Sequence, residues 1–135
     1  MALQPRGRVL GVLRGDRVGE LPARGPGAGK DGSLEFTSIF PAAYDGRWPH
    51  IHFEVYASLD DATGATNKLR TSQIALPEDV CNRVYATEGY EASVANLAAT
   101  SLSSDMVFAD GHSLQLATVT GSVDAGYVAS LNVPV

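Results

Sequence analysis

Cysteine is nearly absent from this chain, with Cys81 standing alone among 135 residues. That excludes an intramolecular disulfide and a thiolate metal cluster. Cys81 lies in an apolar-patterned segment and reads as a small buried hydrophobe. No apolar run approaches the length needed to cross a membrane. The N-terminal arginines are not followed by the continuous apolar stretch of a secretory signal, so a cytoplasmic protein is expected, unless a leader is missing from the sequence. Charged residues are scarce at 19%, the net charge is -5, and no aromatic residue precedes Phe36. The last two of these facts argue against nucleic acid as a partner. The run GPGAGK resembles a phosphate loop only superficially, because Lys30 is followed by Asp31 and not by Ser or Thr. Asp60-Asp61 lacks the spacing and the anchoring Glu of a calcium loop.

What is present suits one mostly β domain. Hydrophobic residues make up 44% of the chain and glycine occurs 14 times, a composition that favours compact, loop-rich folds. Charge is unevenly placed. Residues 1–30 hold six of the ten basic residues and seven of the fourteen glycines. They form an atypical Arg/Gly/Pro-rich segment, read as disordered or replaced, ahead of a folded domain over residues 31–135. Within that segment Val9 to Leu13 reads as a short edge strand weakened by Gly11 and Gly15.

Alternation predicts strands at Ser33–Ile39, His50–Tyr56, Leu69–Leu76, Ser113–Thr120 and Tyr127–Val133. A loop is predicted over Ala57–Asn67. A helix is expected from Pro77, because acidic residues open it and Val80, Cys81, Val84 and Tyr85 recur at helical spacing. A second short helix is expected over Ala92–Leu97. Short strands, Gly-rich links and no βαβ rhythm predict an all-β sandwich with one or two short helices.

Chemistry concentrates in YDGRWPHIHFEVY, Tyr44 to Tyr56. In a strand the side-chain period is two, so His50, His52 and Glu54 share one face while Ile51, Phe53 and Val55 share the other. The histidine alpha carbons then lie about 7 Å apart, close enough for both imidazoles to reach one metal ion. Tyr44 lies just upstream in a turn. Its phenolate, a hard anion, suits a strongly Lewis-acidic ion such as Fe(III), whereas imidazole accepts Fe, Zn, Cu or Ni. Spacing alone leaves open a half-buried polar strand face whose imidazoles are simply satisfied. Trp48 reads as a core or pocket-wall residue, and His112 as a turn residue apart from the pair.

The run FTSIFPAAYDGRWPHIHFEVY, Phe36 to Tyr56, resembles the intradiol ring-cleavage dioxygenases, and TSQIALPEDVCNRVYA, Thr71 to Ala86, continues the likeness. The resemblance implies an immunoglobulin-like β-sandwich and a mononuclear non-heme Fe(III). It further implies insertion of both atoms of O₂ into a catechol-type aromatic diol, cleaving the ring between its hydroxyl-bearing carbons. Carried over residue by residue, Tyr44, His50 and His52 match metal ligands. Arg47 matches the arginine beside the substrate ring, and Gln73 a glutamine near the iron. The family's first tyrosine ligand, in a GxYS-like segment, has no counterpart, since no tyrosine precedes Tyr44. That departure suggests an N-terminus truncated or replaced, and a sandwich missing its first strands would favour homodimerisation through exposed edges. The alternative is a catalytically inactive module that binds a metal or a small aromatic, or one that serves only structure or interaction.

Overall fold

Alternating polar and apolar residues behind a stiff proline make the segment at His50 extended, as predicted. The computed structural model describes residues 8–14 and 33–133. In chain order its elements are β1 (Arg8–Arg14), β2 (Ser33–Ile39), β3 (His50–Tyr56), α1 (Leu59–Gly64), β4 (Lys68–Ala75), α2 (Glu78–Tyr85), α3 (Glu91–Ala98), β5 (Thr118–Ser122) and β6 (Gly126–Asn132). Among the described residues the fold is mostly strands with three short helices, one more than the upper expectation. The run GPGAGK and the rest of residues 15–32 lie outside the described residues.

The strands form two small sheets. One has four strands in the order β2-β1-β6-β5, and the other pairs β3 with β4. β1 is antiparallel to β2 and parallel to β6, so it lies inside the sheet and not at an edge as expected. Its glycine did not prevent this, because a strand flanked on both sides gains two ladders of backbone hydrogen bonds. β3 and β4 are antiparallel, with His52 directly opposite Gln73. The end of β4 is tied to the chain ahead of β5. Ala75 N–H donates to the Gln115 carbonyl at 2.8 Å, and Ala117 N–H to the Ala75 carbonyl at 3.0 Å.

Two further expectations are corrected. The predicted loop after β3 contains α1. Its N-cap is Ser58, whose hydroxyl accepts from Asp61 N–H at 3.1 Å. Asp61 is fully engaged in that local structure: its carboxylate also accepts from Ser58, Thr66 and Asn67. The predicted strand over Ser113–Thr120 begins only at Thr118. Residues 113–115 form a turn, in which Gln115 and Leu116 N–H groups both donate to the His112 carbonyl at 2.9 Å. Leu114, within that turn, is 78% exposed.

Helices α2 and α3 serve the β3 region. Val80, Cys81, Val84 and Tyr85 form the buried stripe of α2. Burial pushes the Cys81 thiol up to about 12, which suits the inert core role expected for it. Phe40 meets Tyr85 and Tyr127 edge-on, at ring-centroid distances of 6.0 Å and 6.1 Å. These aromatics join Trp48, Leu76 and Phe108 in one core. The helices also hold the backbone of the segment entering the site. Tyr85 and Tyr90 hydroxyls donate to the carbonyls of Pro41 and Phe40 at 2.8 Å and 2.7 Å. Asn96 donates to the Ala43 carbonyl at 3.0 Å, and Ala43 N–H donates to the Ser93 hydroxyl at 3.1 Å. Among the described residues no helix is long and apolar enough to cross a membrane.

Candidate functional site

A tight turn delivers Tyr44. Arg47 N–H donates to the Tyr44 carbonyl at 3.3 Å, and Gly46 sits at φ +78°. That backbone region is open to glycine and costly for residues with a Cβ, so Gly46 lets the turn close. The chain then passes Trp48 and the buried Pro49 into β3. Trp48 is a core residue, as expected: it is 3% exposed and its indole N–H donates to the Leu76 carbonyl at 2.9 Å.

His50 is oriented from behind. Its Nδ1 lies 2.6 Å from the Trp48 carbonyl oxygen. A carbonyl can only accept, so Nδ1 carries a hydrogen and Nε2 of the neutral ring keeps its lone pair. That Nε2 lies 3.4 Å from the Tyr44 hydroxyl. The buried Phe108 ring meets the His50 ring edge-on, with centroids 6.5 Å apart. Tyr44 itself is 54% exposed, so its hydroxyl faces a region open to solvent.

Arg47 contacts two of the predicted residues directly. Its Nη1 donates to the Tyr44 hydroxyl at 3.3 Å, and its Nη2 makes a short hydrogen bond to Gln73 Oε1. Donors and acceptors thus run in one direction, from Arg47 through the Tyr44 hydroxyl to His50 Nε2. Gln73, Arg47, Tyr44 and His50 thus form one continuous chain of contacts. His52 shares the strand face and lies opposite Gln73, but its imidazole points along the strand, with Nε2 3.5 Å from Glu54 Oε1. Glu54 also accepts from Tyr56 and from Lys68 Nζ, the latter at 3.2 Å. These hydrogen bonds, that of Tyr56 foremost, hold its carboxyl below the usual range.

The residue absent from the sequence expectations is Asp105. Its side chain is fully buried and accepts from Arg47 Nε at 2.9 Å and from Trp48 N–H at 2.7 Å. The N–H groups of Val107 and Phe108 donate to its other oxygen at 2.8 Å and 3.2 Å. Burial pushes its carboxyl up, but the Arg47 hydrogen bond and the backbone donors outweigh burial and bring it down to about 2. Arg47 is raised in turn, chiefly by its bond to Asp105. The turn-forming run Ser103-Ser104-Asp105 signals a local Asx-type turn, but nothing nearby signals the arginine 58 residues upstream.

Among the described residues, no three His, Cys, Asp or Glu side chains gather in a way that would hold a metal ion. Any ion here would need the Tyr44 phenol beside the imidazoles. His112 lies at the turn that precedes β5, where its carbonyl accepts two backbone N–H groups.

No family model matches the chain, and no curated protein is similar to it in sequence. Among solved structures it is similar to the intradiol ring-cleavage dioxygenase from Tetranychus urticae, with a TM-score of 0.71 at 16% sequence identity. The likeness covers 95% of this chain and 80% of that one. The chain therefore has the fold of an intradiol ring-cleavage dioxygenase.

Proposed function

We propose that the chain is an intradiol-type dioxygenase acting on a catechol-type aromatic diol, with Fe(III) held by Tyr44, His50 and His52. One observation carries this reading. On a backbone similar to such an enzyme, Tyr44 Oη and His50 Nε2 converge to 3.4 Å with the Arg47 guanidinium alongside. In this reading the four-stranded and two-stranded sheets correspond to the layers of an immunoglobulin-like sandwich, and exposed strand edges favour a homodimer.

The donor set fits the ion. A phenol is a hard oxygen donor, and His50 has its Nδ1 occupied by the Trp48 carbonyl, which leaves Nε2 for a ligand. His52 adds a second imidazole once it turns from Glu54. A bound Fe(III) would supply Lewis acidity toward the diol oxygens and the redox centre for O₂ chemistry. The protein's own part is electrostatic and positional. Arg47 places a permanent positive charge where a diol oxygen loses its proton, and so favours the anionic form. Gln73 holds the guanidinium from the side. Trp48 and Phe108 close the back of the site with apolar surface, which strengthens each charge interaction in front of it.

A second reading is favoured by the single tyrosine upstream of β3. With one phenol in place of two, the site would bind a metal or a small aromatic without turning it over.

The visible spectrum of Fe(III)-loaded protein, before and after anaerobic catechol, tests the proposal. A charge-transfer band that is lost in Tyr44→Phe and shifts with catechol is expected, followed by O₂ uptake on admission of air. A band without O₂ uptake would favour the second reading. A colourless protein with no bound iron on metal analysis would sink the dioxygenase reading and leave only the second.

A further inference from the structure

We propose that Asp105 is a positioning residue: it fixes the Arg47 guanidinium so that one edge faces Tyr44 and Gln73. This rests on the reading of the site given above, and extends it to a residue outside the predicted set.

Arg47 sits in an open turn on a long side chain, and such a group ordinarily samples many rotamers in water. Here its Nε donates to Asp105 Oδ2 at 2.9 Å, and its Nη2 approaches Asp105 Oδ1 at 3.4 Å. A guanidinium is planar, so holding Nε sets the direction of both Nη groups. Nη1 then meets the Tyr44 hydroxyl and Nη2 meets Gln73 Oε1. The same Asp105 oxygen also accepts Trp48 N–H at 2.7 Å. One carboxylate oxygen thus fixes the side chain of one residue and the backbone of the next, immediately before the histidine strand. Asp105 is itself immobilised, because Val107 and Phe108 N–H groups take its second oxygen. Phe108, in that same turn, packs on His50. The 105–108 turn therefore sets two candidate site residues at once, Arg47 through charge and His50 through ring contact. Neither contact brings Asp105 to the exposed side of the site, so it acts through Arg47.

Two measurements on the full chain test this. The first needs no metal: nitrogen-15 NMR of the arginine Nε–H groups. Wild-type protein should show a slowly exchanging Arg47 signal, in contrast to the exposed Arg83. In Asp105→Asn that protection should be lost while the Trp48 indole signal, bonded to Leu76, persists. A wild-type Arg47 signal exchanging as fast as Arg83, or one equally protected in Asp105→Asn, would overturn the proposal. A wild-type Arg47 signal as fast as that of Arg83 overturns the proposal even if the variant does not fold.

The second measurement is the affinity of the Fe(III)-loaded protein for catechol in a cycle of Asp105→Asn, Arg47→Ala and the double variant. Asp105→Asn should weaken catechol binding about tenfold with iron content unchanged, the scale of one charge-assisted hydrogen bond. It should add nothing in the Arg47→Ala background. An undiminished effect there would show that Asp105 acts on the fold and not through Arg47. If wild-type protein takes up neither iron nor catechol, the proposed function fails, and the Arg47 signal still decides the role of Asp105.

Discussion

Asp105 keeps its negative charge without contact with water, because guanidinium and backbone N–H groups replace the water. Its folded carboxyl, at about 2, lies below the ordinary unfolded value of about 3.9. The stabilisation is therefore fully present above about pH 4 and is lost as the pH falls through about 2, an effect of about 2–3 kcal/mol. Asp105→Asn lacks this titration. Urea unfolding of the two proteins between pH 5 and pH 2 should show the wild-type advantage shrinking with acid, and a constant gap would refute the assignment. The same residue marks the limit of sequence reading. Period-two alternation placed His50 and His52 on one face, because that rule depends only on neighbours. Likeness to a family then suggested Arg47 and Gln73. Asp105 carries no such signal, since its role depends on a partner 58 residues away.

At the scale of elements, the β5–β6 hairpin depends on a glycine. Gly121 has φ +116°, and a Cβ built there would lie 2.1 Å from the Gly126 carbonyl oxygen. Gly121→Ala must therefore shift backbone against backbone. It should destabilise the protein by about 1–3 kcal/mol in chemical denaturation, and a neutral result would mean the hairpin is looser than described. Helix α2 was legible because its apolar stripe recurs over two turns behind an acidic start. Helix α1 was not, since six residues of turn-forming composition carry almost no periodicity. The Ser58–Asp61 spacing was its one sign, a variant of the capping box. The strand expected at Ser113 failed for the opposite reason. Its residues alternate, yet the His112 carbonyl captures two N–H groups and turns the backbone before a ladder can form.

At the scale of the molecule, Cys81 reports whether the core opens as a unit. It is fully buried beside Tyr85, and its thiol is pushed up to about 12. In native buffer near pH 8 a thiol reagent should label it only as fast as the protein unfolds globally, tracking urea stability. Rapid labelling well below the unfolding midpoint would show that α2 detaches by itself. Strand order was the least legible feature at this scale. That β1 lies between β2 and β6 follows from packing across the whole chain, and no local pattern encodes it. The Arg47–Asp105 contact also orders events in time. A ribosome delivers Tyr44, His50 and His52 well before residue 105, so a growing chain displays its donor groups while the arginine beside them is still untethered. The site becomes rigid only when the later half of the protein arrives to hold it.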